Sequence, residues 1–178
     1  MREIRTLVVY YSRSGHTRAV AEEIARALGG AEVEEIRDTV DRSGLRGYWR
    51  SFRDAIRKRT TTLVNPGRNV GDYDLVVVGV PVWVGAPSSP VRTWLIAHAG
   101  EIHAIAFFLT HGGSARDRVF RALAALSGRS PVAEVSVRER ELGTPEASAR
   151  IAAFADEVRL RMSSAELRSM KTEKAPVG

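Results

Sequence analysis

At 178 residues, 44% of them hydrophobic, the chain is long enough to bury one sizeable core without staples. Its lack of cysteine excludes a disulfide framework, a thiolate metal site and a cysteine nucleophile. The 27 basic and 21 acidic side chains leave a net charge of +6, which raises nucleic acid or an anionic membrane as partners. Five of those six charges sit between residues 46 and 59, however, and arginine outnumbers lysine 24 to 3 along the whole chain, a skew of composition rather than a phosphate-binding surface.

Met1 to Arg5 leads directly into the first apolar run, with no signal-peptide design, and no apolar stretch approaches the ~20 residues of a membrane span. A soluble, cytoplasmic protein is expected. That first run, Leu7 to Tyr11, reads as a strand buried on both faces, because its apolar residues are consecutive and rich in β-branched and aromatic types. Val20, Ile24, Ala27 and Leu28 then recur at helical spacing, and Val33 to Ile36 forms a second, more polar strand. Leu45, Tyr48, Trp49, Phe52 and Ile56 give the second helix its apolar face. Leu75 to Val80 and Ile105 to Leu109 are again fully apolar strands, followed by helical patterns at Val91, Trp94, Leu95 and at Val119, Leu123, Leu126. Val132 to Val137 alternates as a half-wet strand, and Ile151, Phe154, Ala155 and Val158 mark the last helix.

Five β-α units in strict alternation imply a parallel sheet between two helical layers, since parallel neighbours need right-handed crossovers. The fold class is therefore a three-layer α/β/α sandwich. With the first, third and fourth strands central and the more polar second and fifth outside, the order is 2-1-3-4-5. One domain is expected over residues 1–161, with a flexible tail over 162–178, where strong apolar content ends. Ligands of such sheets bind beyond the carboxyl ends of the strands where the chain order reverses, so the loops at Ser12, Pro81 and Thr110 carry the candidate site.

The first loop, Ser12-Arg13-Ser14-Gly15-His16-Thr17, joins a buried strand to an amphipathic helix. Free backbone N–H groups and the helix dipole favour an anion there, three hydroxyls add donors, and Gly15 lets the backbone close around a phosphate. The alternative is a helix start capped by Ser14 or Thr17 with no ligand. No Gly-Lys-Ser/Thr ending or Gly-x-Gly-x-x-Gly run is present, which argues against a nucleoside triphosphatase and a dinucleotide site.

Tyr11-Ser12-Arg13-Ser14-Gly15-His16-Thr17 resembles the signature of the flavodoxin family, Ser/Thr-x-Ser/Thr-Gly-x-Thr. Gly79-Val80-Pro81-Val82-Trp83-Val84-Gly85-Ala86-Pro87 is similar to that family's second loop, and Thr110-His111-Gly112-Gly113-Ser114 to its third. The resemblance extends from residue 4 to about residue 160 and implies non-covalent binding of flavin mononucleotide (FMN). It places the phosphate on Ser12 to Thr17 and the isoalloxazine between Pro81, Val82, Trp83, Val84, Gly85 and Thr110, His111, Gly112, Gly113. Trp83 suits a flat ligand but equally suits a loop anchor, and His111 suits a proton relay or a simple capping hydrogen bond. No metal is expected, because His16, His98, His103 and His111 show no ligand spacing.

The chain departs from acidic electron-carrier flavodoxins, whose acidic residues oppose the reduced flavin anion. Arg92, His111, Arg116 and Arg118 lie in sequence beside the ring loops against Asp117. Positive charge there favours the fully reduced anion, so the expected function is two-electron reduction of a quinone-like or other small acceptor. The alternatives are a one-electron flavodoxin, a flavodoxin-fold protoporphyrinogen dehydrogenase, or an interaction protein on the same scaffold. The fifth strand has no room for the loop that long-chain flavodoxins insert. Partners follow: a redox protein or small-molecule acceptor, and contact of the basic segment 44–59 with an acidic protein or the surface of an anionic membrane, against the plain reading of a solvated arginine-rich face. No nucleic-acid reader motif is present.

Overall fold

The structure is a computed structural model and describes residues 4–37, 67–113 and 115–173, with side chains to residue 165. The expected second helix, and with it the basic segment 44–59, lies outside the described residues.

Strand β1 (Thr6–Tyr10) leads into helix α1 (His16–Ala27) and strand β2 (Glu32–Glu35). Strand β3 (Leu75–Trp83) folds back on itself through the short β4 (Ala86–Pro87) before helix α2 (Ser89–His98). Strand β5 (Ile105–His111), helix α3 (Arg116–Ser127), strand β6 (Glu134–Arg138) and helix α4 (Pro145–Glu173) complete the fold. The main sheet runs β2-β1-β3-β5-β6 with every pair parallel. These are the five expected strands in the expected order. The addition is β4, which pairs antiparallel with the end of β3.

Strand parity builds two cores. Leu7, Val9, Val76, Val78, Ile105 and Phe107 face one helical layer, where they meet Val91, Trp94, Leu95, Val119 and Leu123. Val8, Tyr10, Leu75, Val77, Ala106 and Phe108 face the other, against Val20, Ile24, Ile151 and Phe154. Alternate residues of a strand point to opposite faces, so consecutive apolar residues are what a sheet covered on both sides requires. Helix α4 runs on to Glu173, past residue 162, where the tail was expected to begin. Met162, at that boundary, is buried in the second core.

The edge strand β2 is held by charge. Arg18 of α1 donates to both carboxylate oxygens of Glu35 at 2.9 and 2.8 Å, and Arg68 donates to Glu32 at 2.9 Å. The Arg68 hydrogen bond, with a further one from Tyr73, holds the Glu32 carboxyl below its ordinary value of 4.5. A depressed acid contributes stability that is complete above its unfolded pKa and is lost as pH falls through the folded one. Thermal stability should therefore fall on acidification below pH 4.5. Glu32→Gln should flatten that slope in melts recorded between about pH 6 and pH 3. An unaltered slope would assign the acid sensitivity to other carboxylates. Among the described residues no helix is long and apolar enough to cross a membrane.

Candidate functional site

Because β1, β3 and β5 are parallel neighbours, their carboxyl ends finish at one edge of the sheet. The loops that follow them meet there. They enclose a cavity of about 280 Å³, lined by Arg13, Ser14, His16 and Thr17 from the first loop and by Pro81, Val82, Trp83 and Val84 from the second. Thr110 and Gly112 of the third loop also line it, with Glu139 from the turn after β6.

The first loop is shaped by its glycine. Gly15 sits at φ +89, a left-handed conformation that side-chain-bearing residues rarely adopt, and its N–H donates to Ser12 Oγ at 3.1 Å. Ser12 is thus spent on the loop itself rather than on the cavity wall. Gly15 also serves as the N-cap of α1, and no side chain caps this helix. The first-turn N–H groups, which have no intrahelical partner, remain available, so the capped-helix alternative is not the arrangement found. Helix α4, remote from the cavity, is capped in the ordinary way: Ala147 N–H donates to Thr144 Oγ1 at 3.3 Å. Thr17 lies deeper, 2% exposed, with its hydroxyl 2.8 Å from that of Thr110. This pair ties the first and third loops together at the floor.

The second loop is a hairpin. Val82 pairs with Pro87 and Trp83 with Ala86, leaving Val84 and Gly85 as a two-residue turn. Both have positive φ, 51° and 69°, the signature of a type I′ turn, which prefers Asn-Gly. A β-branched valine in this region is strained, at a cost of roughly 1–3 kcal/mol, yet Val84 is 55% exposed and gains little burial in return. Strain of this kind persists where a side chain serves the cavity rather than the fold. Val84→Asn should therefore raise thermal stability by about 1 kcal/mol, or roughly 2–4 °C, while weakening ligand retention. A lower melting temperature would show that the turn is not strained.

Trp83 anchors its loop and also lines the cavity. Its ring meets Tyr11 edge-on, with centroids 5.7 Å apart and planes at 83°, and it packs on the core while also lining the cavity. Opposite it, His16 Nδ1 lies 3.6 Å from Glu139 Oε2. Glu139 escaped the sequence reading. The signal was the charged run Arg138-Glu139-Arg140-Glu141 immediately after the last strand, at the same sheet edge as the other loops.

Of the expected site residues, Gly85 holds the turn beside Ala115 rather than the wall, and His111 and Gly113 face elsewhere. They line a separate cavity with Arg116, Asp117 and Arg118. Thr110 and His111 are adjacent in β5 and point to opposite faces of the sheet. Arg92 lines neither cavity, so none of the four basic residues that sequence proximity placed beside the ring is on the first cavity's wall. The charge there comes from Arg13 and Glu139.

A model of the flavodoxin family matches residues 5–134. This chain belongs to the flavodoxin family. Among solved structures, this flavodoxin-family chain is similar to a flavoprotein from Lactobacillus acidophilus solved in complex with FMN. Identity is 26%, with 78% of this chain and 96% of that one covered, at a TM-score of 0.66. Proteins of Bacteroides uniformis and Bacteroides eggerthii share the flavodoxin fold, at 18% and 21% identity and TM-scores of 0.72 and 0.68. They cover 87% and 85% of this chain, and the match spans 99% and 98% of theirs.

The cavity fits FMN in chemistry. An uncapped helix N-terminus beside Ser14 and Arg13 suits a phosphate. Val82, Trp83 and Val84 offer an apolar and aromatic wall suited to a flat heteroaromatic ring.

Proposed function

We propose that this flavodoxin-family chain binds FMN in the cavity between its three loops and catalyses two-electron reduction of a quinone-like or other small acceptor. The observation that carries the reading is the meeting of the Ser12–Thr17 loop, the Trp83 hairpin and Thr110 around one cavity whose described wall holds a single carboxylate, Glu139. FMN supplies the electron transfer, and the protein supplies position and electrostatics.

Ser14, the Arg13 side chain and the first N–H groups of α1 hold the phosphate. Val82, Trp83 and Val84 cover the ring and exclude water, and the Thr17–Thr110 pair keeps the first and third loops in register. Arg13 balances Glu139, and the basic side chains around His111 add positive potential from the neighbouring cavity. That balance supports a fully reduced anion better than an acidic carrier site does.

Anaerobic redox titration of the FMN-loaded protein tests the assignment. A single two-electron wave is expected, together with oxidation of NADH or NADPH coupled to quinone reduction. Two well-separated one-electron waves would make the protein a one-electron carrier. A colourless protein that cannot be reconstituted with FMN would leave a scaffold without flavin turnover.

A further inference from the structure

A second cavity at the same strand ends shares no lining residue with the first, and its chemistry is distinct. It encloses about 740 Å³ and is lined by His111 and by Arg116, Arg118, Arg121, Arg138 and Arg150. Among the described residues, two carboxylates, Asp117 and Glu141, share the wall. Its size falls in the roughly 300–1,000 Å³ range of small-molecule sites.

The two carboxylates are already committed. Glu141 pairs with Arg150 and, at 4.0 Å, with Arg138, and the Arg150 hydrogen bond holds its carboxyl below the usual range. Asp117 pairs with Arg116 at 3.2 Å. Among the described residues, Arg118 and Arg121 have no ion pair or hydrogen bond, so the cationic excess is concentrated on them. Helix α3, twelve residues long, begins at Arg116 with Ala115 as its N-cap and, among the described residues, no side-chain cap. Its first-turn N–H groups and the positive end of its dipole sit at the same wall.

His111 points independently to a ligand. It is 6% exposed, lies opposite Arg138 in the β5–β6 register and lines the cavity, and its Nδ1 is buried with no hydrogen-bond partner among the described residues. An unpartnered buried polar atom costs about 1–3 kcal/mol, and buried polar groups are as a rule satisfied.

We propose that this cavity is a second binding site, separate from the flavin site, for a small polyanion bearing phosphate or clustered carboxylate groups. Arg118, Arg121 and the α3 N-terminus hold the charges, and His111 at the buried end donates to one anionic oxygen. Two free arginines with a helix N-terminus match a ligand of at least two adjacent anionic groups better than a single monoanion. The site does not rest on the flavin reading, because none of its residues lines the flavin cavity.

The test is a calorimetric titration of the FMN-loaded full chain, whose phosphate loop is then filled, with inorganic pyrophosphate and separately with citrate. Ionic strength is held constant with chloride, and the His111 imidazole signals are followed by NMR. One equivalent of pyrophosphate or citrate should bind, shift the His111 signals, and lose at least ten-fold in affinity in Arg118→Gln/Arg121→Gln. Stronger binding of pyrophosphate identifies a phosphate ligand, and stronger binding of citrate a polycarboxylate. Both arginines are exposed, so the variant should fold; Arg121→Gln alone repeats the test if it does not. Unmoved His111 signals, equal affinity in the variants, or stabilisation that chloride reproduces would overturn the proposal. A chain that fails to retain FMN leaves the His111 and arginine readouts intact, so the two readings fail separately.

Discussion

Replacing Ser14 and Thr17 together by alanine should weaken FMN binding by roughly 100- to 1,000-fold, since each hydrogen bond to a charged group contributes about 1.5–3 kcal/mol. The two residues act differently. Ser14 lines the cavity directly, beside an α1 N-terminus that no side chain caps. Thr17 is buried and shares its hydroxyl with Thr110 at 2.8 Å, so its loss also frees a buried partner on the third loop. Thr17→Ser keeps the hydroxyl and should stay within a few-fold of the parent, whereas Thr110→Val should mimic part of the Thr17→Ala loss. Fluorescence titration of FMN against each variant reads these differences, with circular dichroism to confirm folding. If the double variant melts lower but binds FMN as tightly as the parent, the loop is only a helix start, and the phosphate lies elsewhere.

The largest effect on stability should come from Gly79→Ala. A Cβ built at Gly79 would lie 2.1 Å from Phe108 Cζ and within 2.7 Å of both ring Cε atoms. Phe108 is fully buried and sits directly opposite Gly79 in the β3–β5 register. The glycine is therefore the space in which the ring lies. An added methyl group forces the ring or the two central strands apart, and overpacking of this kind costs about 1–3 kcal/mol and occasionally more. For a chain of this length that corresponds to a melting temperature lower by roughly 2–12 °C. The clash is specific to one partner, so Phe108→Leu should recover part of the loss when combined with Gly79→Ala, although alone it destabilises through the space it leaves. Strictly additive losses in the double variant would show that the backbone, and not the ring, limits position 79.

Much of this protein is readable locally, because each signal lies within a few consecutive residues. Leu75 to Val80 and Ile105 to Leu109 are apolar without interruption because a sheet covered on both faces leaves no residue for water, and that places them at its centre. Glu32 to Glu35, by contrast, alternates with charge because it lies at the edge. The Ser12–Thr17 loop is equally legible, since hydroxyls and a glycine between a strand and a helix have few other uses. The hairpin at Val84-Gly85 was less so: its turn carries valine where Asn-Gly is the usual sign, and the strain that marks it is a property of φ, not of composition.

What the sequence determined by itself was therefore the sandwich, its strand order and the three loops at one edge, because apolar runs and turn residues are local. Which side chains share a cavity was decided only by the tertiary structure. Thr110 and His111 are neighbours in the chain, as are Arg138 and Glu139, and each pair is divided between the two cavities. The pleat of β5 sends Thr110 and His111 to opposite faces, whereas Arg138 closes β6 and Glu139 opens the turn after it, so the end of the strand divides that pair. At strand ends, where apolar patterning stops, composition no longer tells which side chain goes where. Chain proximity set the arginines of α3 beside the ring loops; the fold gathers Arg116, Arg118 and Arg121 around His111 in the second cavity.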